Sequence, residues 1–162
     1  MTYIVEEPLW EVTLEEADRS YYKLVLIVGP AGSGKTDRLK TISESYGFGF
    51  LNLGEELSRR LLVIPPHLRS AEAEELTIDL VNEIGSLRIA IDNTEILFEP
   101  PLRLNPLAVL KKLSRSQVVV ATWTGSFDKS KLTYGFQGHP AYREYAFTDE
   151  DSFIITPSQI LP

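Results

Sequence analysis

An α/β fold in three layers, with helices on both faces of a mostly parallel five-stranded sheet, is what this sequence of 162 residues predicts. Three observations carry the prediction. Apolar, β-branched runs recur at 23–28, 87–92, 117–124 and 153–156; stretches of helical period separate them; and a glycine-rich loop joins the first run to the next helical stretch. Runs that stay apolar, instead of alternating with polar residues, mark strands buried on both faces. A chain this long suits one domain, 1–162, that buries about two-thirds of its unfolded surface. Residues 1–22 read as a lead-in and short helix.

Composition narrows the class. Hydrophobic residues make up 43% and charged residues 24%, which is ordinary for a globular protein. No cysteine occurs, so disulfides and thiolate zinc sites are excluded, and two histidines, His67 and His139, make a histidine-rich metal site improbable. No apolar run is long enough to span a bilayer, and the acidic start lacks a signal peptide's basic head and apolar middle, so a cytoplasmic protein away from the membrane is expected. The net charge of −7 disfavours direct nucleic-acid binding by the isolated chain. Its short basic clusters, Arg59-Arg60, Lys111-Lys112 with Arg115, and Lys129 with Lys131, read as solvated faces that only an assembly would present together to DNA.

In chain order, Met1 to Trp10 reads as extended, because Pro8 opposes a helix. Thr13-Leu14-Glu15-Glu16 matches a capping box, placing a short helix from there to about Tyr22. Trp10 and Tyr22, just upstream of the first strand, fit core packing or a place beside a nucleotide base. Lys23-Leu24-Val25-Leu26-Ile27-Val28 is the first buried strand. Gly29-Pro30-Ala31-Gly32-Ser33-Gly34-Lys35-Thr36 follows and fits G-x-x-x-x-G-K-[ST], the phosphate-binding P-loop, with a helix from Thr36 to Tyr46 behind it. Strand, glycine loop and helix together form the context in which that motif binds a nucleotide.

Each residue type there has a chemical reason. Glycines let backbone N–H groups turn inward onto a polyphosphate, and the helix N-terminus points its partial positive charge at the same anion. Lys35 reaches the β- and γ-phosphates, Thr36 ligates Mg²⁺, and Asp37 lies in the first helical turn. ATP with Mg²⁺ is the expected ligand, since no Asn-Lys-x-Asp guanine signature is present.

The pattern continues with a strand over 47–54 framed by glycines, a helix from Glu55 to Leu62 ended by Pro65-Pro66, and a helix from Ala71 to Ile84 capped by Ser70 and stopped at Gly85. Leu87-Arg88-Ile89-Ala90-Ile91-Asp92 is an apolar strand tipped by a carboxylate, the Walker B pattern, which makes Asp92 a second Mg²⁺ contact, usually through a water, or else a strand-end cap of the next turn. The residue after it is Asn93, where many such ATPases carry the glutamate that orients the attacking water. Glu95 is the nearest acid and the candidate base; a solvent-facing Glu95 fits equally. Asn105-Pro106 starts a helix to about Ser114. A strand over 117–125 follows, whose polar tip offers Thr122 and Thr124 as sensors of the γ-phosphate or attacking water. Residues 126–145 lack periodicity and read as a long loop, mobile or partner-binding. Within it, Arg143 is a candidate to reach a neighbouring subunit's nucleotide, or else to form a surface ion pair. Phe153-Ile154-Ile155-Thr156 closes the sheet.

The strand order expected from these elements is that of RecA-like and AAA+-like ATPases, a P-loop NTPase core without a lid domain. Asp92-Asn93-Thr94-Glu95-Ile96-Leu97-Phe98, the Ala121-Thr122-Trp123 tip with Gly125, and Gly138-His139-Pro140 through Tyr145 resemble the BrxF family, small P-loop proteins of type III bacteriophage exclusion (BREX) defence systems. The resemblance implies an AAA+-like ATPase that restricts phage alongside other BREX subunits, a methyltransferase and further ATPases or helicases. Lys35, Thr36, Asp92 and Glu95 carry over onto its site. Two other functions stay open on the residues alone. One is a nucleotide-gated binding module with little turnover, which Asn93 makes credible; the other is a small-molecule P-loop kinase. A self-assembling ATPase subunit is the leading expectation.

Overall fold

A computed structural model describes residues 10–147 and 153–155. The elements are α1 (Trp10–Asp18), β1 (Leu24–Gly29), α2 (Lys35–Tyr46), β2 (Gly49–Asn52), α3 (Leu53–Leu62), α4 (Arg69–Ile84), β3 (Arg88–Asp92), α5 (Pro106–Leu113), β4 (Val118–Asp128), β5 (Lys131–Tyr134), β6 (Arg143–Ala146) and β7 (Phe153–Ile155). Short 3-10 turns occupy 66–68, 94–98 and 100–102.

The sheet runs β2-β3-β4-β1-β7, all parallel, so β4 lies between the glycine-loop strand and the Asp92 strand. Side chains along each strand alternate between two cores. Leu24, Leu26 and Val28 with Val119, Ala121 and Trp123 face α3, α4 and α5. Val25 and Ile27 with Val118 and Val120 face α1 and α2. This period of two, apolar on both sides, accounts for the unbroken hydrophobic runs. The three-layer α/β arrangement with a five-stranded parallel core is therefore as expected.

Several local expectations are corrected. Trp10 does not end an extended lead-in: it opens the described part of α1, with residues 1–9 outside the described residues. Thr13 is no cap either. It lies inside α1, buried with Trp10, Leu14 and Ala17 on one face, because burial of that stripe outweighs local capping chemistry. Nor does Ser70 cap α4, which starts one residue earlier, directly after the turn opened by Pro66. There Arg69 Nε donates to the carbonyls of Leu61 (2.9 Å) and Ile64 (3.0 Å), tying the start of α4 to the end of α3.

The largest correction is at 126–145. β4 runs on past Gly125 and pairs antiparallel with β5, which pairs with β6, extending the sheet to seven strands. Lys129 (φ 47°) and Ser130 (φ 71°) form the two-residue turn between Asp128 and Lys131. A turn with both residues left-handed normally advertises itself as Asn-Gly or Asp-Gly, and here neither residue does. Where β4 leaves the parallel sheet, a Cβ on Gly125 would run into the Thr133 carbonyl, so glycine is required by close backbone approach. Trp123, wholly buried, donates Nε1–H to the same carbonyl at 2.9 Å and packs edge-on against Phe98, Tyr134 and Tyr145. Thr156, in the expected closing strand, lies outside the described residues.

No helix among the described residues is long and apolar enough to cross a membrane.

Candidate functional site

Parallel pairing aligns the carboxyl ends of four strands. Gly29 of β1 is registered with Thr124 of β4, Ile27 with Thr122, and Asn52 of β2 with Asp92 of β3. The glycine loop, 30–34, lies at the end of β1. Gly32 (φ 76°) and Gly34 (φ 88°) are both left-handed, and a Cβ built on either would meet nothing within 4 Å. Glycine is needed at these two positions for conformation, and the space beside them is open. Gly34 precedes α2 with no side chain capping the helix, so the first N–H groups of α2 have no side-chain partner there.

Lys35 is 8% exposed, and its Nζ donates to the Pro30 carbonyl at 2.8 Å, bridging the loop. An ammonium has three donors, so others stay available for an anion. Burial pushes its pKa below the ordinary lysine value, while the Glu95 and Asp92 carboxylates pull it back up. Both acids therefore lie within electrostatic reach of it. Ser33 Oγ is buried without a hydrogen-bond partner.

Asp92 is buried, 4% exposed, and its Oδ1 accepts from Thr36 Oγ1 at 3.2 Å and from Thr122 Oγ1 at 3.0 Å. Thr36 and Asp92 are 56 positions apart in sequence. The hydrogen bond sets the Thr36 hydroxyl beside the Asp92 carboxylate, so both oxygens would flank the same Mg²⁺ ion. Thr94 Oγ1 donates to the Thr122 carbonyl and fixes the turn that follows β3 to β4. That turn brings Glu95 back over the strand ends, where its Oε1 accepts from Thr124 Oγ1 at 2.9 Å. Both threonine hydroxyls are thus directed at carboxylates: Thr122 holds Asp92 and Thr124 holds Glu95.

Asn93, by contrast, is exposed and left-handed (φ 55°), and its Nδ2 donates to Asn52 Oδ1 at 2.8 Å. The position directly after Asp92 therefore turns away from the lysine towards β2. Asp37 is exposed on α2. Arg143 is not brought to the cluster: it is half-buried on β6, its Nη1 donates to the Leu104 carbonyl at 2.9 Å, and its guanidinium carbon lies 6.0 Å from the Phe98 ring centroid. Among the described residues it pairs with no acid either. Trp10, offered as a base contact, is buried in the core with Leu14, Val25 and Ile27.

Two cavities flank these strand ends. One of about 510 Å³ lies between Pro30 and Ala31 on one side and Thr124, Tyr134, Phe136 and His139 on the other. The second, about 590 Å³, is bounded by Asn52, Asn93, Glu95, Glu99, Tyr134 and His139. Tyr134, shared by both, is nine-tenths buried, and its phenol is pushed up to about 12 by burial and by Glu95 and Glu99. Tyr134, Phe136 and Asn52 were not legible as site residues. Asn52 carried a signal in retrospect, a polar residue between an apolar strand and a helix.

No group of three or more His, Cys, Asp or Glu suited to a metal occurs among the described residues, so any cation here would rest on Thr36, Asp92 and the ligand's own oxygens. Comparison of the chain with protein-family models, curated proteins and solved structures returns no match.

Proposed function

We propose that the chain is a P-loop NTPase subunit with a RecA/AAA+-like core that binds Mg-ATP at the carboxyl ends of its strands and hydrolyses it. The observation that supports this most directly is the convergence on Asp92 Oδ1 of hydroxyls from Thr36 and Thr122, across three separate elements. The strand order, with β4 between β1 and β3, agrees with that reading.

In this mechanism the open glycine loop and the first turn of α2 wrap the phosphates with N–H donors. Lys35 leaves or shares the Pro30 carbonyl and neutralises charge on the β- and γ-phosphates. Thr36 and Asp92 would hold Mg²⁺, which would supply further neutralisation of phosphate charge. Glu95, held by Thr124, orients and deprotonates the attacking water; Thr122 and Thr124 are positioning residues. Arg143 acts on a neighbour's nucleotide only if assembly frees it from Leu104 and Phe98. The resemblance to the BrxF family supports a role for such an ATPase in phage restriction alongside other BREX subunits; the reading includes nucleotide-dependent self-association in the cytoplasm, with DNA contact only through such an assembly.

Calorimetry with Mg-ATP and steady-state phosphate release test the reading. Wild type binds and turns over without an acceptor; Lys35→Ala loses at least ~10-fold in affinity; Glu95→Gln binds normally but loses ~10²-fold in turnover. Absence of Mg-nucleotide binding by the wild type would overturn the proposal. Size-exclusion chromatography with and without Mg-ATP tests self-association. A second reading, phosphoryl transfer to a small acceptor, draws on the cavity beside Glu95, and ADP release that depends on added acceptor would favour it.

A further inference from the structure

We infer that the amino-terminal edge of the sheet, opposite the strand ends just described, carries a binding site for single-stranded nucleic acid. The chain as a whole has a net charge of −7, yet segment 19–23, leading into β1, and segment 112–116, leading into β4, close around a pocket of about 590 Å³ lined by Arg19, Lys23, Lys112, Arg115, Tyr21 and two serines. Among the described residues, no carboxylate lines it. The two segments are fixed together by Lys23 N–H donating to the Ser114 carbonyl at 2.8 Å and Val119 N–H donating to the Lys23 carbonyl at 2.8 Å. The spacing of the charges is therefore set by the parallel pairing of β1 with β4 and not by flexible loops.

The cations are available. Lys23 Nζ donates to the carbonyls of Asp18 (2.7 Å) and Ser20 (3.1 Å), which keeps its charge at the rim and leaves a third donor. Among the described residues Lys112 pairs with Glu74 alone, at 3.6 Å with both side chains exposed, a contact that solvent screens. Neither Arg19 nor Arg115 has a carboxylate partner among the described residues. Four cations gathered in a concavity repel one another, and an anion with several charges relieves that repulsion.

The aromatic chemistry favours a nucleic-acid strand over a simple anion. Tyr21 is 64% exposed, yet its ring is braced by the Arg115 guanidinium, 5.1 Å from the centroid, and by Tyr22 edge-on at 4.8 Å. A held, exposed ring among cations is the combination that stacks a base while phosphates track the charges. A stacked base must be unpaired, which selects a single strand. The inference is independent of the nucleotide reading, since it uses none of the same residues.

The test is fluorescence anisotropy of a labelled oligo-dT of about 15 nucleotides with the full chain, in EDTA and without nucleotide. Binding is expected at about 50 mM salt, weakening with a log–log slope of about −2 to −3, as three or four contacts on a single strand give. Lys112→Glu with Arg115→Glu, and separately Arg19→Glu, should each cost about tenfold or more, with circular dichroism and melting unchanged. Tyr21→Ala should cost about fivefold or more for oligo-dT while leaving affinity for inorganic polyphosphate unaltered. The inference is overturned if oligo-dT does not bind, if a folded charge-reversal variant binds as wild type does, if Tyr21→Ala leaves oligo-dT affinity unchanged or weakens both probes equally, or if duplex binds as tightly as the single strand.

Discussion

At the scale of single residues, Asp92 decides how the site works. Its buried Oδ1 accepts two hydroxyl protons, so replacing it by asparagine preserves an acceptor of nearly the same shape. Asp92→Asn should therefore melt within a few degrees of wild type, while nucleotide affinity loses its dependence on magnesium, as calorimetry with and without the metal will show. Lys35 gives a pH prediction. Its folded pKa lies below the ordinary lysine value because burial disfavours the charge, and a bound polyphosphate favours that charge. Binding therefore takes up a proton once the pH exceeds the lowered value, and affinity falls as pH rises through it towards the pKa of the complex. Below that window the lysine is charged throughout and contributes no pH dependence. Titrations in buffers of different ionisation enthalpy measure the uptake, which Lys35→Met should abolish. Arg143 is engaged within its own chain, so Arg143→Ala is expected to cost about 1 kcal/mol of stability, read from denaturant midpoints, through loss of the bond to the Leu104 carbonyl.

At the scale of elements, the continuation of β4 into the hairpin shapes the site most. Pairing of Gly125 with Tyr134 brings a second sheet segment against the glycine loop and supplies the wall of both cavities. Gly125→Ala puts a methyl into the Thr133 carbonyl, a backbone atom that cannot move alone. We expect a loss of about 2 kcal/mol or more, with changed Trp123 fluorescence because its Nε1–H bonds the same carbonyl. The helices were more legible than the hairpin. Asn105 caps α5 by accepting from Ala108 N–H at 3.2 Å, as Asn-Pro predicted, and Asn105→Ala should cost about 1 kcal/mol in chemical denaturation. Gly85, left-handed at φ 66°, ends α4 where the pattern stopped. The capping box at Thr13 misled because its spacing also fits the interior of a helix whose buried stripe runs through Thr13.

At the scale of the whole molecule, the parallel sheet separates two kinds of surface. Its carboxyl edge gathers Lys35, Asp92, Glu95 and three threonines, Thr36, Thr122 and Thr124; its amino edge gathers Arg19, Lys23, Lys112 and Arg115. If the first holds Mg-ATP, ligand at 100 times its dissociation constant should stabilise the fold by ~2.7 kcal/mol. A thermal melt of the wild type should then shift upward by several degrees, and that of Lys35→Ala, at the same ligand concentration, by about half as much or less. Charge reversal at Lys112 and Arg115 should leave the ATP-induced shift intact, since the two edges share no residue.

The sequence alone determined the buried strands, the helices between them, the glycine loop with Lys35 and Thr36, and the acid at the tip of β3. These follow from local chemistry: apolar period, left-handed glycines, a proline after a cap. Tertiary structure decided what lies beside what. Asp92 meets Thr36 because α2, which starts at the end of β1, packs across β4 onto β3. Glu95 joins them only because a 3-10 turn carries it back over the strand ends, and Asn93, the nearer neighbour in sequence, is carried away. The hairpin escaped notice because its turn is built from lysine and serine in conformations that ordinarily signal glycine and asparagine. The physical reason is common to all three: distance along a chain sets conformational preference, whereas distance in space is set by which strands pair and in what register.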